Sequence, residues 1–319
     1  MKKEDSPNLH RIMRELGHDK VIEMLAERIP ASDLNGLLME VFREKTKQTT
    51  PKELLKKYES NRFVHPAEAD PLTLKQLELD TLRIASEQSF SAVQLSPAAP
   101  LGSCSVIATV DQNKVISALR GTEIVADATN LLALHVAHLL KSGKADNESS
   151  FLRFSTTHRH IRAQSLGNAP GMLPHFHVFC LVTSGKDNGS YSFEKQAFLE
   201  QAIVYQALFR KLFRSDIEIV LCARQGYKDS DGLIERIVEY GREHGIQATL
   251  SVSPSEENNE YYKGLQFTIK TVINGNNYTI GDGGFVDWPN RLLSRRRERL
   301  LISAIGLDRL VPELARTSL

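Results

Sequence analysis

Residues 157–182 read THRHIRAQSLGNAPGMLPHFHVFCLV, two strand-like stretches joined by a loop rich in glycine and proline. The first stretch carries a polar side chain at every second position, namely at His158, His160, Arg162 and Gln164. Because alternate side chains of a β-strand leave on the same face, a strand here presents all four groups together. The second stretch is apolar and β-branched or aromatic, so the two are predicted to pair as a hairpin.

Arg162 is the only fixed charge on this face of the first strand. A guanidinium can hold a phosphate or a carboxylate through two parallel hydrogen bonds. The hairpin therefore predicts an anion-binding site beside a loop.

The composition limits the classes of protein to which this chain can belong. The chain has 319 residues, of which 41% are hydrophobic and 25% charged, and its formal net charge is +1. Such a charge gives no bulk field that would collect nucleic acid or membranes. No apolar run approaches the roughly 20 residues of a membrane span, and no secretion signal is recognised, so a cytoplasmic location without a membrane partner is expected. The three cysteines are widely spaced and are predicted to be reduced core thiols.

The chain is predicted to divide into a helical N-terminal region, residues 1–88, and a core, residues 89–319. Apolar residues recur at helical spacing in 9–16 and 34–42. Ser32 is expected to cap the second of these helices, and Thr50 followed by Pro51 predicts the start of a third. A fourth helix is predicted from Leu72 to Ala85.

Beyond residue 88 the patterns alternate between strand and helix. Strands are predicted at 94–110, 113–121, 152–164, 176–185, 216–223, 247–253, 264–273 and 276–284, and in the apolar run before Gly306. Helices are predicted at 127–143, 192–213, 231–245 and from about Leu307. Because the helices stand between hairpins rather than after every strand, an α+β fold with a mixed, largely antiparallel sheet is favoured over a doubly wound one. Neither common glycine-rich phosphate-binding motif is present.

The hairpin resembles motif 2 of the class II aminoacyl-tRNA synthetases. In that family an Arg-x-Glu strand binds the α-phosphate of ATP, and a phenylalanine on the return strand stacks on adenine. Arg162, Gln164 and Phe176 stand at the corresponding places. The chain has glutamine where the motif has glutamate.

Three further segments follow the same order. VADATNLLALHVAHLL, residues 125–140, is similar to the Arg-Pro-Glu/Asp-x-Thr helix start of histidyl-tRNA synthetase and of the related regulatory subunit of ATP phosphoribosyltransferase. EYYKGLQFTI and IGDGGFVDW resemble their Tyr-Tyr-x-Gly-x-x-Phe and Gly-Gly-Arg-Tyr-Asp hairpin. Residues 306–310, GLDRL, are similar to motif 3, whose arginine lies against the γ-phosphate. The resemblance covers about residues 90–315.

The resemblance implies a class II synthetase-like core: an antiparallel sheet flanked by helices. It implies ATP-dependent activation of an amino acid or similar small carboxylate as an acyl-adenylate, with Mg²⁺ accompanying the nucleotide. Arg162 and Arg309 would be the catalytic phosphate-binding residues. Gln164 and Phe176 would contact ATP, and the substrate would meet Asp127, Thr129, Gln164 and Tyr262. Helix capping explains Asp127 and Thr129 equally well.

The family also implies partners. Motif 1 forms a dimer interface there, and residues 96–102 lie roughly where motif 1 would end, so a homodimer is expected. The chain stops soon after motif 3, without the anticodon-binding domain of a synthetase, and the acyl acceptor is left open as an RNA or a carrier protein. Val125 stands where the family has an arginine. Glu257 stands near the sequence position at which histidyl-tRNA synthetase has the arginine that binds its substrate. The alternative is a non-catalytic regulatory or metabolite-sensing paralogue.

Two other chemistries are open at this point. His158 with His160, and His175 with His177, form two His-x-His pairs on facing strands, a spacing that suits a transition metal. A cluster of arginines before motif 3 is either a solvated face or a contact for RNA phosphates. The cluster comprises Arg291, Arg295, Arg296, Arg297 and Arg299.

Overall fold

The computed structural model describes residues 7–146, 150–164, 174–254 and 261–317. The helices are α1 (Pro7–Leu16), α2 (Val21–Glu23), α3 (Ala31–Lys47), α4 (Pro51–Ser60), α5 (Pro71–Glu87), α6 (Ala128–Lys141), α7 (Ser192–Phe213), α8 (Ser230–Glu243), α9 (Trp288–Leu293) and α10 (Val311–Thr317). The strands are β1 (Ser91–Ala92), β2 (Ala98–Pro100), β3 (Ser117–Ala118), β4 (Thr122–Ile124), β5 (Leu152–Ile161), β6 (His175–Lys186), β7 (Ile217–Ala223), β8 (Thr249–Ser253), β9 (Lys263–Ile273), β10 (Asn276–Val286) and β11 (Glu298–Gly306).

A large sheet organises the described part of the chain. Eight strands follow the order β1-β5-β6-β11-β10-β9-β7-β8, and a small sheet has the order β2-β4-β3. The pairs β1–β5 and β7–β8 at the two edges are parallel, whereas the pairs between them are antiparallel. The predicted α+β fold with helices around a largely antiparallel sheet is confirmed.

The two faces of the large sheet carry different helices. The main hydrophobic core joins α5, α7, α8 and α10 to one face, with Leu77, Phe198 and Phe209 among its fully buried residues. On the other face, α6 packs through Leu132 and Val136 against Trp288 and the strands. The second face, where α6 begins, also carries the candidate site.

The N-terminal helices differ in how firmly they pack. α5 begins at the Asp70 N-cap and buries Leu74 and Leu77 in the main core, whereas α3 and α4 bury no residue. The predicted cap of α4 is confirmed, since Thr50 and Glu53 form a capping box. The Ser32 cap is wrong: the N-cap is Pro30, so α3 begins two residues earlier, at Ala31. The division at residue 88 stays a prediction.

The region 94–121 was predicted as two strands and contains only short ones. β2 ends at Pro100, and a turn of π-helix, Ser103–Ile107, follows. Gly102 turns the chain with a φ of +92°, and the Glu123 carboxylate accepts hydrogen bonds from the amides of Gly102 and Cys104 at 2.8 and 3.1 Å. The hydrogen-bond partner of these amides is thus a carboxylate at least nineteen residues away and not a neighbouring strand. Local periodicity in the sequence does not reveal such a partner.

Other boundaries matter for the site. β5 ends at Ile161, so Arg162 and Gln164 follow the strand instead of lying within it. The predicted hairpin of β9 and β10 is confirmed, with Asn274 and Gly275 in the left-handed conformation at its turn. The last helix begins at Val311 rather than near Leu307, which leaves Arg309 in a turn. No helix in the described ranges is long and apolar enough to span a bilayer.

Candidate functional site

The candidate site lies where the β5–β6 hairpin meets the start of α6. The pairing register sets His160 opposite Phe176, and His158 opposite Val178, so these side chains share one face of the sheet. The rings of His158 and His160 lie 5.6 Å apart, as the alternation predicted. Arg162 continues this face just beyond the strand.

Two adjoining cavities open on this face. One, the acidic cavity, holds about 320 Å³ and is lined by Asp127, Asp282, Tyr261, Tyr262 and Cys104, with Lys114 at one side. The other, the arginine cavity, holds about 290 Å³ and is lined by Phe176, Arg309, Asp308, Gly281, Ala304 and Gly306. Arg162, Gln164 and Asp282 line both cavities. The two cavities are therefore parts of one cleft.

Asp127 is held by hydrogen bonds at the N-terminus of α6. Its Oδ1 accepts from the backbone amide of Thr129 at 2.9 Å and from the Thr129 hydroxyl at 2.7 Å, and its Oδ2 accepts from the Tyr261 hydroxyl at 3.0 Å. The N-cap role explains the first contact. Thr129 is 3% exposed and stands behind Asp127 rather than in the cavity wall. The carboxylate is thus held at the cavity by the start of α6 and by Tyr261, which lies just before β9.

Asp282 was not singled out from the sequence. Its carboxylate opens into the cleft, and crowding by protein atoms, followed by the negative charge of Asp127, raises its pKa to about 6. A hydrogen bond from Tyr262 and the charge of Arg162 oppose that rise. The sequence signal was an aspartate standing among glycines, directly before the four residues 283–286, which are buried.

The tyrosines and Cys104 stay protonated. Burial raises the pKa of Tyr261 and of Tyr262 well above the usual value, so both hydroxyls donate to the neighbouring carboxylates. Burial, then the charge of Asp127, raises the pKa of the Cys104 thiol to about 12. A thiol is a poor nucleophile unless it ionises, so the acidic cavity is built to bind rather than to attack.

Arg162 sits at the junction of the two cavities. Its Nε donates to the carbonyl oxygen of Ala126 at 3.1 Å, and its guanidinium carbon lies 5.3 Å from the centre of the Phe176 ring. These two contacts orient the fork while leaving its terminal nitrogens toward the cleft. Phe176 in turn packs edge-on against His160. Among the described residues, Arg162 is the side chain that could contact ligands in both cavities at once with a fixed positive charge.

Arg309 closes the far side of the arginine cavity. Its Nη1 donates to the carbonyl oxygen of Thr279 at 2.9 Å, and its guanidinium carbon lies 5.5 Å from the Tyr278 ring centre. The preceding residue, Asp308, accepts a hydrogen bond from the amide of His177. Arg162 and Arg309, the two predicted phosphate-binding residues, stand 147 positions apart in the sequence. Both line the arginine cavity.

Two glycines of β10 lie at close backbone or ring contacts: Gly281, which lines the arginine cavity, and Gly284, which lies beside Tyr262. A Cβ at Gly281 would lie 2.1 Å from the carbonyl oxygen of Ala304, and a Cβ at Gly284 would lie 2.5 Å from the Tyr262 ring. No side chain fits at either place without displacing its neighbour. Glycine therefore lets Tyr262 pack tightly beside Asp282.

The two histidine pairs do not form a metal site. The register that pairs His160 with Phe176 sends His175 and His177 to the opposite face of the sheet. His158 bonds the carbonyl of Ser96, and His160 accepts a hydrogen bond from the amide of Ala128. Within the described residues no three metal-ligating side chains come together. The metal alternative is wrong because a one-residue offset in pairing separates the pairs.

Most of the arginine cluster holds the protein's own groups. Arg291 donates to the carbonyls of Val106 and Ile107, Arg297 binds the Asp187 carbonyl, and Arg299 pairs with the Asp187 carboxylate at 2.6 Å. These contacts favour a structural role over a surface for RNA phosphates.

Val125 and Gln164, two residues that depart from the family pattern, differ in their position relative to the cleft. Val125 is 1% exposed and provides no polar group. Gln164 lines both cavities. Glu257 and the loop residues 165–173 lie outside the described part of the chain.

Comparison with solved structures finds similar chains at low sequence identity. An ATP phosphoribosyltransferase regulatory subunit/histidyl-tRNA synthetase from Bacillus halodurans superposes with a TM-score of 0.60 and 13% identity, over 78% of this chain and 82% of that chain. Apo histidyl-tRNA synthetase from S. aureus gives a TM-score of 0.59 and 11% identity, over 79% and 69%. Histidyl-tRNA synthetase from a Nostoc species gives 0.57 and 14%, over 80% and 75%. The chain has a class II synthetase-like fold.

At these identities the likeness concerns the fold. No protein-family model matches the sequence, and no curated protein does. The resemblance inferred from motifs and the likeness in three dimensions agree on the same synthetase-like fold. The synthetase-like fold brings Asp127, Arg162, Tyr262 and Arg309 to one cleft, although nothing in local sequence requires them to meet.

Proposed function

We propose that this protein activates an amino acid or a similar small carboxylate with ATP, giving an acyl-adenylate and pyrophosphate. One observation carries the proposal. A single guanidinium, that of Arg162, stands between a cavity that ends in carboxylates and a cavity that ends in an aromatic ring and a second arginine. Such a junction suits a reaction in which a carboxylate meets a phosphorus atom.

The acidic cavity would hold the amino acid. Its ammonium group would bind the Asp127 carboxylate, which hydrogen bonds already fix in position, with Asp282 adding negative charge. Its carboxylate would lie toward Arg162. Tyr262 and Gln164 would complete the polar wall. Charge-assisted hydrogen bonds of this kind give both affinity and orientation.

The arginine cavity would hold ATP. Phe176 offers a face for adenine, Arg162 would bind the α-phosphate, and Arg309 would bind the terminal phosphates. Mg²⁺ would enter with the triphosphate, since this ion is usually held by phosphate oxygens and water rather than by an all-protein cage.

The chemical step needs no protein nucleophile. A carboxylate oxygen of the substrate attacks the α-phosphorus, a new P–O bond forms, and the bond to the bridging oxygen of pyrophosphate breaks. Negative charge grows on the phosphoryl oxygens, and preorganised cations at both ends stabilise it without reorganising. The protonated Cys104 thiol and tyrosines are consistent with a site that binds and orients.

A second candidate is a regulatory or metabolite-sensing paralogue without catalysis. Two observations favour it: Gln164 replaces the acidic residue of motif 2, and the Arg309 guanidinium rests on the Thr279 carbonyl and the Tyr278 ring. One of the similar solved structures is described as an ATP phosphoribosyltransferase regulatory subunit. In this case the acidic cavity would bind a metabolite, and ATP would not be consumed.

ATP–pyrophosphate exchange with pooled amino acids and Mg²⁺ separates the two candidates. Exchange that depends on one pool, followed by deconvolution to one amino acid, supports adenylate formation. Isothermal titration with ATP and with the same pools is run in parallel. Absence of exchange with every pool, together with absence of ATP binding, contradicts the proposed activity, and amino acid binding alone then favours the sensor.

We also propose a homodimer, with the acyl acceptor an RNA or a carrier protein. Residues 96–102 would form part of the interface, and there β2 pairs with β4 while Leu101 leaves 52% of its surface exposed. Light scattering of the purified chain measures the assembly directly. A monomer at micromolar concentration contradicts the dimer.

A further inference from the structure

The segment that links α4 to α5 contacts the backbone beside Arg162. The Arg62 Nη2 atom donates to the carbonyl oxygens of Ala163 and of Gln164, each at 3.0 Å. The guanidinium of Arg62 also lies over the neighbouring Phe63 ring, at 4.7 Å from its centre. One cation from the N-terminal region thus holds the carbonyl groups of the two residues that directly follow Arg162.

Ala163 and Gln164 lie beyond the end of β5, so hydrogen-bond partners from other segments hold their backbone. The amide of Arg162 still donates to the carbonyl of Pro174, and the amide of Ala163 donates to the carbonyl of Lys114 in the small-sheet region, at 3.0 and 2.9 Å. The amides are therefore held from the core side. The carbonyls are held by Arg62, so the segment is fixed between the core and the N-terminal region.

A second chain of contacts starts at His65, three residues after Arg62, and leads to the turn that carries Arg309. The Nε2 of His175 donates to the carbonyl oxygen of His65 at 2.6 Å, and an Arg159 guanidinium nitrogen donates to the His175 Nδ1 at 2.9 Å. A guanidinium only donates, so Nδ1 is the acceptor and the proton of His175 is on Nε2. The His65 ring lies 5.1 Å from the Tyr58 ring, near the end of α4, and is tilted against it by 57°.

Arg159 then meets the turn that carries Arg309. Its Nη2 lies 3.7 Å from Oδ1 of Asp308, and the other carboxylate oxygen of Asp308 binds the amide of His177. Asp308 is 9% exposed, and its Oδ1 has no hydrogen-bond partner among the described residues, so Arg159 is the counter-charge that holds it. The route His65–His175–Arg159–Asp308 thus ends one residue from Arg309.

We propose that residues 61–65 act as a positioning segment, which sets both arginine-bearing backbones and so couples the N-terminal helices to the cleft. Arg62 positions the peptides after Arg162, and His65 acts through His175 and Arg159 on the turn before Arg309. Since α3 and α4 bury no residue, anything that moves them relative to the core would act on the cleft through this segment. The nucleotide that the cleft would bind rests on the proposed function, but the positioning itself does not.

Hydrogen–deuterium exchange of the full chain tests the positioning without any ligand. In Arg62→Ala, amides of residues 162–164 are expected to exchange roughly threefold to tenfold faster, because the variant loses both exposed hydrogen bonds to the carbonyls of Ala163 and Gln164. In His175→Ala, amides of residues 307–310 are expected to do the same. Arg11→Ala removes an exposed arginine that pairs with Glu15 within α1, and it should leave both segments unchanged.

Conservative variants separate positioning from general destabilisation. His175→Gln keeps an acceptor for Arg159 and a donor for His65, so it should restore the protection of residues 307–310 that His175→Ala loses. Arg62→Lys keeps a donor for the carbonyls and should recover part of the protection of 162–164. Unchanged exchange in both segments of both alanine variants, or no rescue by glutamine, overturns the proposal.

Ligand measurements then distinguish this proposal from the proposed function. If the protein forms adenylate, Arg62→Ala should raise the KM for ATP and the KM for the amino acid several-fold, because Arg162 lines both cavities. His175→Ala, which acts on the turn before Arg309, should raise the KM for ATP several-fold while the KM for the amino acid changes less. If wild-type protein neither binds ATP nor exchanges pyrophosphate, the proposed function fails, and the exchange pattern of the variants still decides the positioning.

Discussion

The acidic cavity and the arginine cavity share a guanidinium and differ in how their other groups are held. In the acidic cavity, Asp127 is fixed by a helix N-terminus and a tyrosine, so a negative charge is preorganised on rigid elements. In the arginine cavity, Arg309 stands in a turn and rests on a carbonyl and a ring. One cavity is complementary to an ammonium group, and the other to a larger anion with an aromatic part.

The cleft therefore consists of two half-sites, which Arg162 joins. A residue confined to one half-site should affect one ligand, whereas a residue at the junction should affect both. The following variants probe that division.

Arg162→Ala is expected to have the largest effect. Loss of the junction cation should lower the exchange rate by roughly 100- to 1,000-fold, because a donor aimed at transition-state charge is removed. Affinity for ATP and for the amino acid should both fall in calorimetry. Arg162→Lys should recover only part of the rate, because an ammonium group has no planar fork. A loss confined to one ligand would contradict the junction role.

Asp127→Asn tests the acidic cavity. The amide oxygen can still cap α6, so the fold should be kept while the negative charge is lost. The KM for the amino acid should rise roughly 10- to 100-fold, as expected when a charged hydrogen bond is removed, with little change in the KM for ATP. Thermal unfolding of the variant serves as the control for the cap. An equal rise in both KM values would show that the half-sites are not separate.

Arg309→Ala tests the arginine cavity. The KM for ATP should rise about tenfold, because an exposed cation contributes less than a buried one. The KM for the amino acid should stay the same. Arg83→Ala, on the exposed side of α5 near Asp80, is the matched control and should change neither constant. If Arg309→Ala behaves like this control, Arg309 has no part in the site.

Asp282→Asn is expected to have the smallest effect and a dependence on pH. The pKa of Asp282 is raised to about 6 in the folded protein, above its ordinary value, so the folded state holds this proton more tightly than the unfolded one. Wild-type protein should therefore lose stability relative to Asp282→Asn as pH rises from about 4 through 6, and little beyond. Because Asp282 is exposed, solvent screens the charge of Asp127, so the difference in Tm between the two proteins should grow by no more than about 2 °C over that window. A constant difference would mean that the carboxyl is not perturbed.

Much of the fold followed from local patterns. The long helix α7, the hairpin of β9 and β10, and the Thr50 cap were predicted because helical spacing, a turn sequence and a cap are each contained within a few residues. The region 94–121 was not predicted correctly, because its backbone amides are satisfied by Glu123 across a turn. Periodicity cannot detect a partner so distant.

The candidate site, like the fold, combines features that local sequence predicts with features that depend on distant segments. The sequence alone determined the polar face of β5, the cap at Asp127, and the residue types that motif resemblance assigned to ATP and substrate. Only the tertiary structure decided that His175 and His177 face away from His158 and His160, that Asp282 joins Asp127, and that residues 61–65 contact the backbone after Arg162 and the side chain of His175. The physical reason is that strand and helix periods fix which side of an element a residue takes, whereas the pairing register and the packing of distant segments fix what that side meets.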